Sequence, residues 1–118
     1  MLIKALKGKI HRATVTATKV DYPGSVGIDT DLLEAAGILP YEAVLIANVT
    51  NGSRVETYVV PAPAGSGDIE ILGAAAKMFS PGDIVIFMNF AWCTPEEAAK
   101  LKPKVVIPDE HNSIKRIL

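Results

Sequence analysis

Apolar and polar positions alternate along most of this chain, the period expected of strands that bury one face. From Lys9 to Val20 (KIHRATVTATKV) small or β-branched residues are interleaved with polar ones, which predicts one long strand. Glu42–Val49 predicts a second. Asn51-Gly52 then supplies the strongest short hairpin signal, and Arg54–Val60 predicts the return strand. Pro61 and Pro63 end that strand or place its end at a sheet edge, because proline has no N–H to give to a ladder. Shorter strands are predicted at Asp68–Leu72 and Lys104–Ile107, and a buried one at Asp83–Phe90.

Helical signals are few. Thr30 or Asp29 caps a helix over Asp31–Ala36 that Gly37 stops. Gly73–Met78 has the composition of one or two turns. Thr94-Pro95-Glu96-Glu97 is a capping box with proline at the first helical position, opening a helix that ends before Pro103. Strands interrupted by short helices predict a mainly β chain closed into a small barrel. No repeat, linker or low-complexity tract divides the 118 residues, so a single domain over 1–118 is expected. The pattern alone leaves the topology open.

Composition adds an assembly state. Hydrophobic residues make up 49% of the chain, and a domain this small keeps a large surface for its volume, so part of that apolar surface is expected between subunits. Twelve basic residues are scattered, the net charge is -1 and aromatics are only 6%, which argues against a nucleic-acid surface. Cys93 is the single cysteine, so no internal disulfide can form; it reads as an inert, partly buried thiol. The two histidines are far apart, so no metal is expected. Neither a secretion signal nor an apolar stretch of membrane-spanning length is visible, and a soluble cytoplasmic protein is the expectation.

Three groups of residues can carry chemistry. Tyr22-Pro23-Gly24-Ser25 is a type II turn by its Pro-Gly pair. A Gly-Ser bond held in such a bend can also break itself: the serine oxygen attacks the preceding carbonyl, and elimination from the resulting ester leaves a ketone in place of Ser25. In a strand, Arg54, Glu56 and Tyr58 share a face that Thr57 does not. Arg54 either grips a carboxylate through two hydrogen bonds or is solvated; Tyr58 either donates a proton or packs on a barrel wall. Lys9 and His11 share a face as well, as a cationic pair or as the charged edge of a sheet. Gly65-Ser66-Gly67 runs into a strand rather than a helix and reads as a turn, and no lysine sits beside a glycine-rich phosphate loop as pyridoxal phosphate would need. No G-x-S-x-G elbow occurs.

Taken together, these segments resemble the pyruvoyl-dependent aspartate 1-decarboxylases. The resemblance rests on Lys9-x-His11-Arg12, Tyr22-x-Gly24-Ser25, Ile28-Asp29, Ala35-Ala36-Gly37-Ile38-Leu39, Asn48-Val49-Thr50-Asn51-Gly52, Arg54-x-x-Thr57-Tyr58, Gly73-Ala74-Ala75-Ala76 and Gly82-Asp83-Ile84-Val85-Ile86. They run in family order to about Phe90; the region after Trp92 matches only loosely.

The resemblance implies a double-psi β-barrel with short helices, a homotetramer, and self-cleavage between Gly24 and Ser25 into a β chain (1–24) and an α chain (25–118). It implies a covalent pyruvoyl cofactor derived from Ser25, a Schiff base with L-aspartate, and release of CO2 and β-alanine for pantothenate synthesis. Thr57 then assists cleavage and contacts substrate, and Tyr58 is the proton donor. Arg54 binds a substrate carboxylate, with Lys9 and His11 adding positive potential. Gly73, Ala74 and Ala75 either line the substrate site with backbone N–H groups or simply form a packed turn. Tyr22 either lines the site or packs at a strand end. The family carries Asn immediately before Gly73, where this chain has Leu72, which cannot donate a hydrogen bond. That departure leaves open two alternatives: a barrel that serves as a non-catalytic interaction subunit, or the same cofactor acting on another small acidic amino acid.

Overall fold

The computed structural model describes all 118 residues. Nine strands form, β1 (Ile3–Thr14), β2 (Ala17–Lys19), β3 (Ser25–Asp29), β4 (Ala43–Asn48), β5 (Arg54–Ala62), β6 (Ile69–Leu72), β7 (Ile84–Cys93), β8 (Lys104–Pro108) and β9 (Ile114–Ile117). Two short helices, α1 (Thr30–Ala36) and α2 (Pro95–Lys100), and a 3-10 turn (Gly73–Met78) lie between them. The strand order is β2-β6-β3-β5-β4-β7-β1-β8-β9. β1 and β2 are consecutive in the chain yet stand at distant places in that order, so the sheet has to curl round and close.

The closure happens at two residues. The predicted single strand 9–20 is broken at Val15–Thr16, where the chain changes partners. Val15 N–H donates to Asp83 O and its carbonyl accepts from Gly82, whereas Thr16 N–H donates to Ile69 O, each at 2.8–2.9 Å. Upstream of that step β1 pairs with β7, and downstream β2 pairs with β6. The break is a change of wall rather than an end of strand structure.

The hydrophobic core of 19 buried residues fills the barrel, with Ile10, Val26, Ile28, Ile46, Val59, Ile69, Ile71, Val85 and Phe87 fully buried. α1 plugs one end through Leu32, Leu33 and Ala36. Its Ala36 carbonyl sits directly against Gly8 on β1, where any Cβ would collide with it. Pro61 lies inside β5, paired with Ile28 of β3. On its other side β4 has already ended, the last pair being Ala43 with Tyr58, so the missing N–H falls at an open edge as the sequence suggested.

β3 was not legible as a strand. All five of its residues are buried, because β5 and β6 flank it and both faces are covered, so no alternation shows. β9 was missed for the opposite reason: it is exposed throughout and pairs only with β8.

Candidate active site

Ser25 opens β3 and is only 5% exposed, while the four residues before it, Asp21 to Gly24, are exposed. The Gly24–Ser25 bond therefore joins an open loop to the buried wall of the barrel. β6 fixes one side of this junction, through the antiparallel pair of Ser25 with Leu72. β5 fixes the other: it runs parallel to β3 with Val26 opposite Val59, so one register step earlier Ser25 lies abreast of Tyr58. Thr57, next along β5, is half-buried and faces away from Tyr58, which is 39% exposed with its ring centre 6.3 Å from that of Tyr41.

Gly73 seats the bond. It follows Leu72, is buried, and has φ of 81°. A Cβ at this position would lie 2.5 Å from Gly24 Cα and 2.8 Å from Gly24 N. Only glycine accommodates both the left-handed backbone and this approach. The 3-10 turn that follows begins without any side-chain cap at Leu72, with Ala74 exposed and Ala75 half-buried. Leu72 itself serves the site through its backbone ladder.

The cations gather elsewhere on the barrel. In-register pairs form a row across four strands, Arg54–Ala47–Ile86–His11, beside a second row, Glu56–Leu45–Met88–Lys9. Lys9 and Arg54 thus share a groove of about 380 Å³ floored by Ala47, Ile86 and Met88. Arg54 stands four residues back along β5 from Tyr58, about 13 Å at strand rise. The structure therefore brings Gly24, Ser25, Gly73 and Tyr58 together, leaves Thr57 on the opposite face of β5 from Tyr58, and sets Lys9, His11 and Arg54 together on another part of the sheet.

His11 lies in register with Arg54 across the sheet but outside the lining of the Lys9–Arg54 groove. Burial, then the neighbouring charges of Lys9 and Arg12, lower the pKa of its imidazole from the usual histidine value. Its Nδ1 is buried without a partner. The positive field of the groove comes from Lys9 and Arg54.

Sequence reasoning missed the roots of the site. The Asp29 carboxylate, at the far end of β3, caps α1 and accepts N–H bonds from Asp31 (2.8 Å), Gly65 (3.1 Å) and Gly67 (2.8 Å). Gly65-Ser66-Gly67 is a turn as predicted; the Gly65 and Gly67 amides are spent on Asp29, and that of Ser66 on the Pro63 carbonyl. Asn112, 2% exposed, then ties that turn to β1: its Nδ2 donates to Gly67 O and Thr14 O, and its Oδ1 accepts from Thr14 N–H, all at 2.8 Å. The available signal was a Gly-x-Gly loop far along the chain from a capping aspartate, which does not announce its partner.

A curled nine-stranded sheet around one core, with the Gly24–Ser25 bond where an exposed loop meets a buried strand, defines the class: a double-psi β-barrel protein. A solved relative of that shape, the rationally designed protein mkDPBB_sym_86, superposes with TM-score 0.50 at 19% identity, over 67% of this chain and 92% of the designed one. At that identity the likeness concerns the fold. Sequence comparison goes further. The sequence model of the family described as aspartate decarboxylase matches residues 1–115. The chain is 50% identical over 117 residues to the aspartate 1-decarboxylase of Carboxydothermus hydrogenoformans, covering 99% of this chain and 92% of that one. It is 55% identical over 114 residues to that of Lactiplantibacillus plantarum (97% and 88%) and 49% over 116 residues to that of Caulobacter vibrioides (98% of each). The chain belongs to the aspartate decarboxylase family.

Proposed function

We propose that this protein is a self-processing decarboxylase that converts L-aspartate to β-alanine and CO2. The observation that carries the reading is the seat of the Gly24–Ser25 bond, with Gly73 in contact with Gly24 and Ser25 locked by β6. Self-cleavage needs the hydroxyl of one residue held against the carbonyl of the residue before it, and a strand start beside a close-packed glycine supports that reading by limiting how far the bond can move. Ser25 Oγ bonds to the Gly24 carbonyl carbon, the Gly24–Ser25 C–N bond breaks, and the hydroxyl proton passes to the freed amine. Loss of the residue-25 α-proton with the ester oxygen then releases the Gly24 carboxylate. Water converts the remaining enamine to a ketone with loss of ammonia, leaving chains 1–24 and 25–118. Thr57 Oγ1 is the donor assigned to the oxyanion that develops on Gly24.

The residues around Ser25 fit a pyruvoyl group: the position is walled by backbone on two sides, and Gly73 adds no side chain to fill the space. Such a ketone supplies an electron sink for loss of a carboxylate. Tyr58 returns a proton to the substrate α-carbon. Arg54 and Lys9 lie too far from Tyr58 in one chain to meet the same small substrate, so they serve the site of a neighbouring subunit, Arg54 holding a carboxylate as a bidentate partner and Lys9 reinforcing the field. Leu39, Tyr41 and Trp92 are 66, 74 and 68% exposed, apolar surface of the kind that subunits cover, which supports a homotetramer. No helix is long and apolar enough to cross a membrane.

Intact-mass analysis tests the reading: two fragments divided after Gly24, the larger one blocked at its N-terminus. Ser25→Ala abolishes both cleavage and β-alanine formation; product from that variant would end the mechanism. Comparing aspartate with glutamate separates this substrate from a longer acidic one.

A further inference from the structure

The loop Val20–Gly24 carries the acyl half of the scissile bond, yet none of the 20 backbone hydrogen bonds outside the helices and strands involves residues 20–24. Its end is fixed by the contact of Gly24 with Gly73. Its middle is fixed by side chains. Lys19, the last residue of β2, places its Nζ 5.1 Å from the centre of the Tyr22 ring. The same Nζ lies 3.0 Å from Glu70 Oε2. Glu70 sits on β6, in register with Ala17 of β2 on one side and Gly27 of β3 on the other. A cation over an aromatic face is attracted by the ring quadrupole, and here a carboxylate rooted in the barrel wall decides where the cation stands. Hydrogen bonding to Glu70, followed by its charge, raises Lys19 above the usual lysine value and keeps the ammonium charged.

Both halves of the bond are thus referred to one strand. Ser25 takes its position from the ladder pair with Leu72, and Tyr22 takes its position from Glu70, two residues earlier on β6. We propose that Glu70, Lys19 and Tyr22 form a strap that positions the Gly24 carbonyl against Ser25 Oγ and thereby sets the rate of self-cleavage. The inference rests on the self-processing reading above. The step it governs is the first one, in which the Oγ–C bond forms, the C–N bond breaks and the hydroxyl proton moves to the amine. A misplacement on the order of 1 Å between such reacting atoms is enough to slow an intramolecular attack severely. Glu70 and Lys19 are positioning residues: they touch neither the reacting atoms nor the Lys9–Arg54 groove.

The test follows loss of the full-length chain by intact mass after a short cell-free synthesis. Glu70→Gln and Lys19→Met each slow cleavage about fivefold, the effect of one exposed charge pair and one cation–ring contact. Lys19→Arg keeps both interactions and cleaves within about twofold of the parent. Added salt slows the parent and leaves Glu70→Gln unaffected, because screening acts on the pair the variant lacks. In a Ser25→Ala background, where no chain is cut, the same substitutions leave the melting temperature unchanged and speed hydrogen exchange at the loop amides. Equal rates in parent, Glu70→Gln and Lys19→Met overturn the strap and leave self-cleavage standing. A parent that stays whole overturns self-cleavage itself, and the strap's role with it.

Discussion

At Gly73 one added methyl group meets two obstacles at once. The backbone φ of 81° is strained for any residue with a Cβ, and that Cβ would lie 2.5 Å from Gly24 Cα. Relief requires the cleavage loop to lift away from β6, taking the Gly24 carbonyl out of reach of Ser25. Gly73→Ala is therefore expected to slow cleavage by more than about tenfold. The measurement is the fraction of 118-residue chain remaining with time, and wild-type kinetics would show that the contact does not govern the bond. The same scale separates Gly73 from Leu72. Leu72 meets Ser25 by a backbone pair that any strand residue can make. His11 shows what a residue's neighbours decide: burial, then Lys9 and Arg12, lower the pKa of an imidazole that titrates near neutrality in an open strand.

At the scale of elements, β3 works because it is anchored at both ends. Ser25 is held by β6 and β5, and Asp29 accepts three N–H bonds at the other end. Asp29→Ala removes an N-cap and the acceptor of the Gly65 and Gly67 N–H groups, so we expect it to cost about 1–3 kcal/mol. Urea unfolding of the Ser25→Ala protein measures this without interference from cleavage; a loss under about 0.5 kcal/mol contradicts the anchor. A second polar node joins β1, β4 and β7. Glu42 accepts from Lys7 Nζ at 2.7 Å, from Leu39 N–H at 2.8 Å and from Asn89 Nδ2 at 3.3 Å. Burial opposes its ionisation, but these donors win and hold the carboxyl below its usual value. Its contribution is present above the ordinary glutamate range and is lost as pH falls through the lower folded value.

Element by element, the alternating strands β4, β5 and β7 and the capped helices α1 and α2 were legible because local chemistry alone specifies them. The Thr94–Glu97 box forms as read, with Glu97 N–H on Thr94 Oγ1 and Thr94 N–H on Glu97 Oε1. The break at Val15–Thr16 was not legible, since both residues suit a strand and only the distant partners Asp83 and Ile69 redirect them. Gly73–Met78 reads as one or two turns and forms a 3-10 turn.

At the scale of the molecule, the two halves of the candidate site face one barrel from different places, the Gly24–Ser25 bond at the β3–β6 junction and the cation groove across β1, β4, β5 and β7. Large apolar side chains lie exposed on the same protein, Trp92 and Tyr41 among them. Sedimentation is expected to give a mass near four times the 12.5 kDa chain, and a monomer at micromolar concentration would contradict the tetramer. Trp92 is the single tryptophan, so its emission on dilution reports whether that side chain is covered in the assembly.

The sequence by itself determined what depends on near neighbours: strand periods, caps, turns, and through many motifs in register, the family. It also located the Gly24–Ser25 bond. Only the tertiary structure decided that Gly73 presses on Gly24, that burial lowers the pKa of His11, that Asp29 and Asn112 root the strand beneath the site, and that Lys19 reaches over Tyr22 from Glu70. These are contacts between residues far apart in the chain, and closing the barrel is what brings them together.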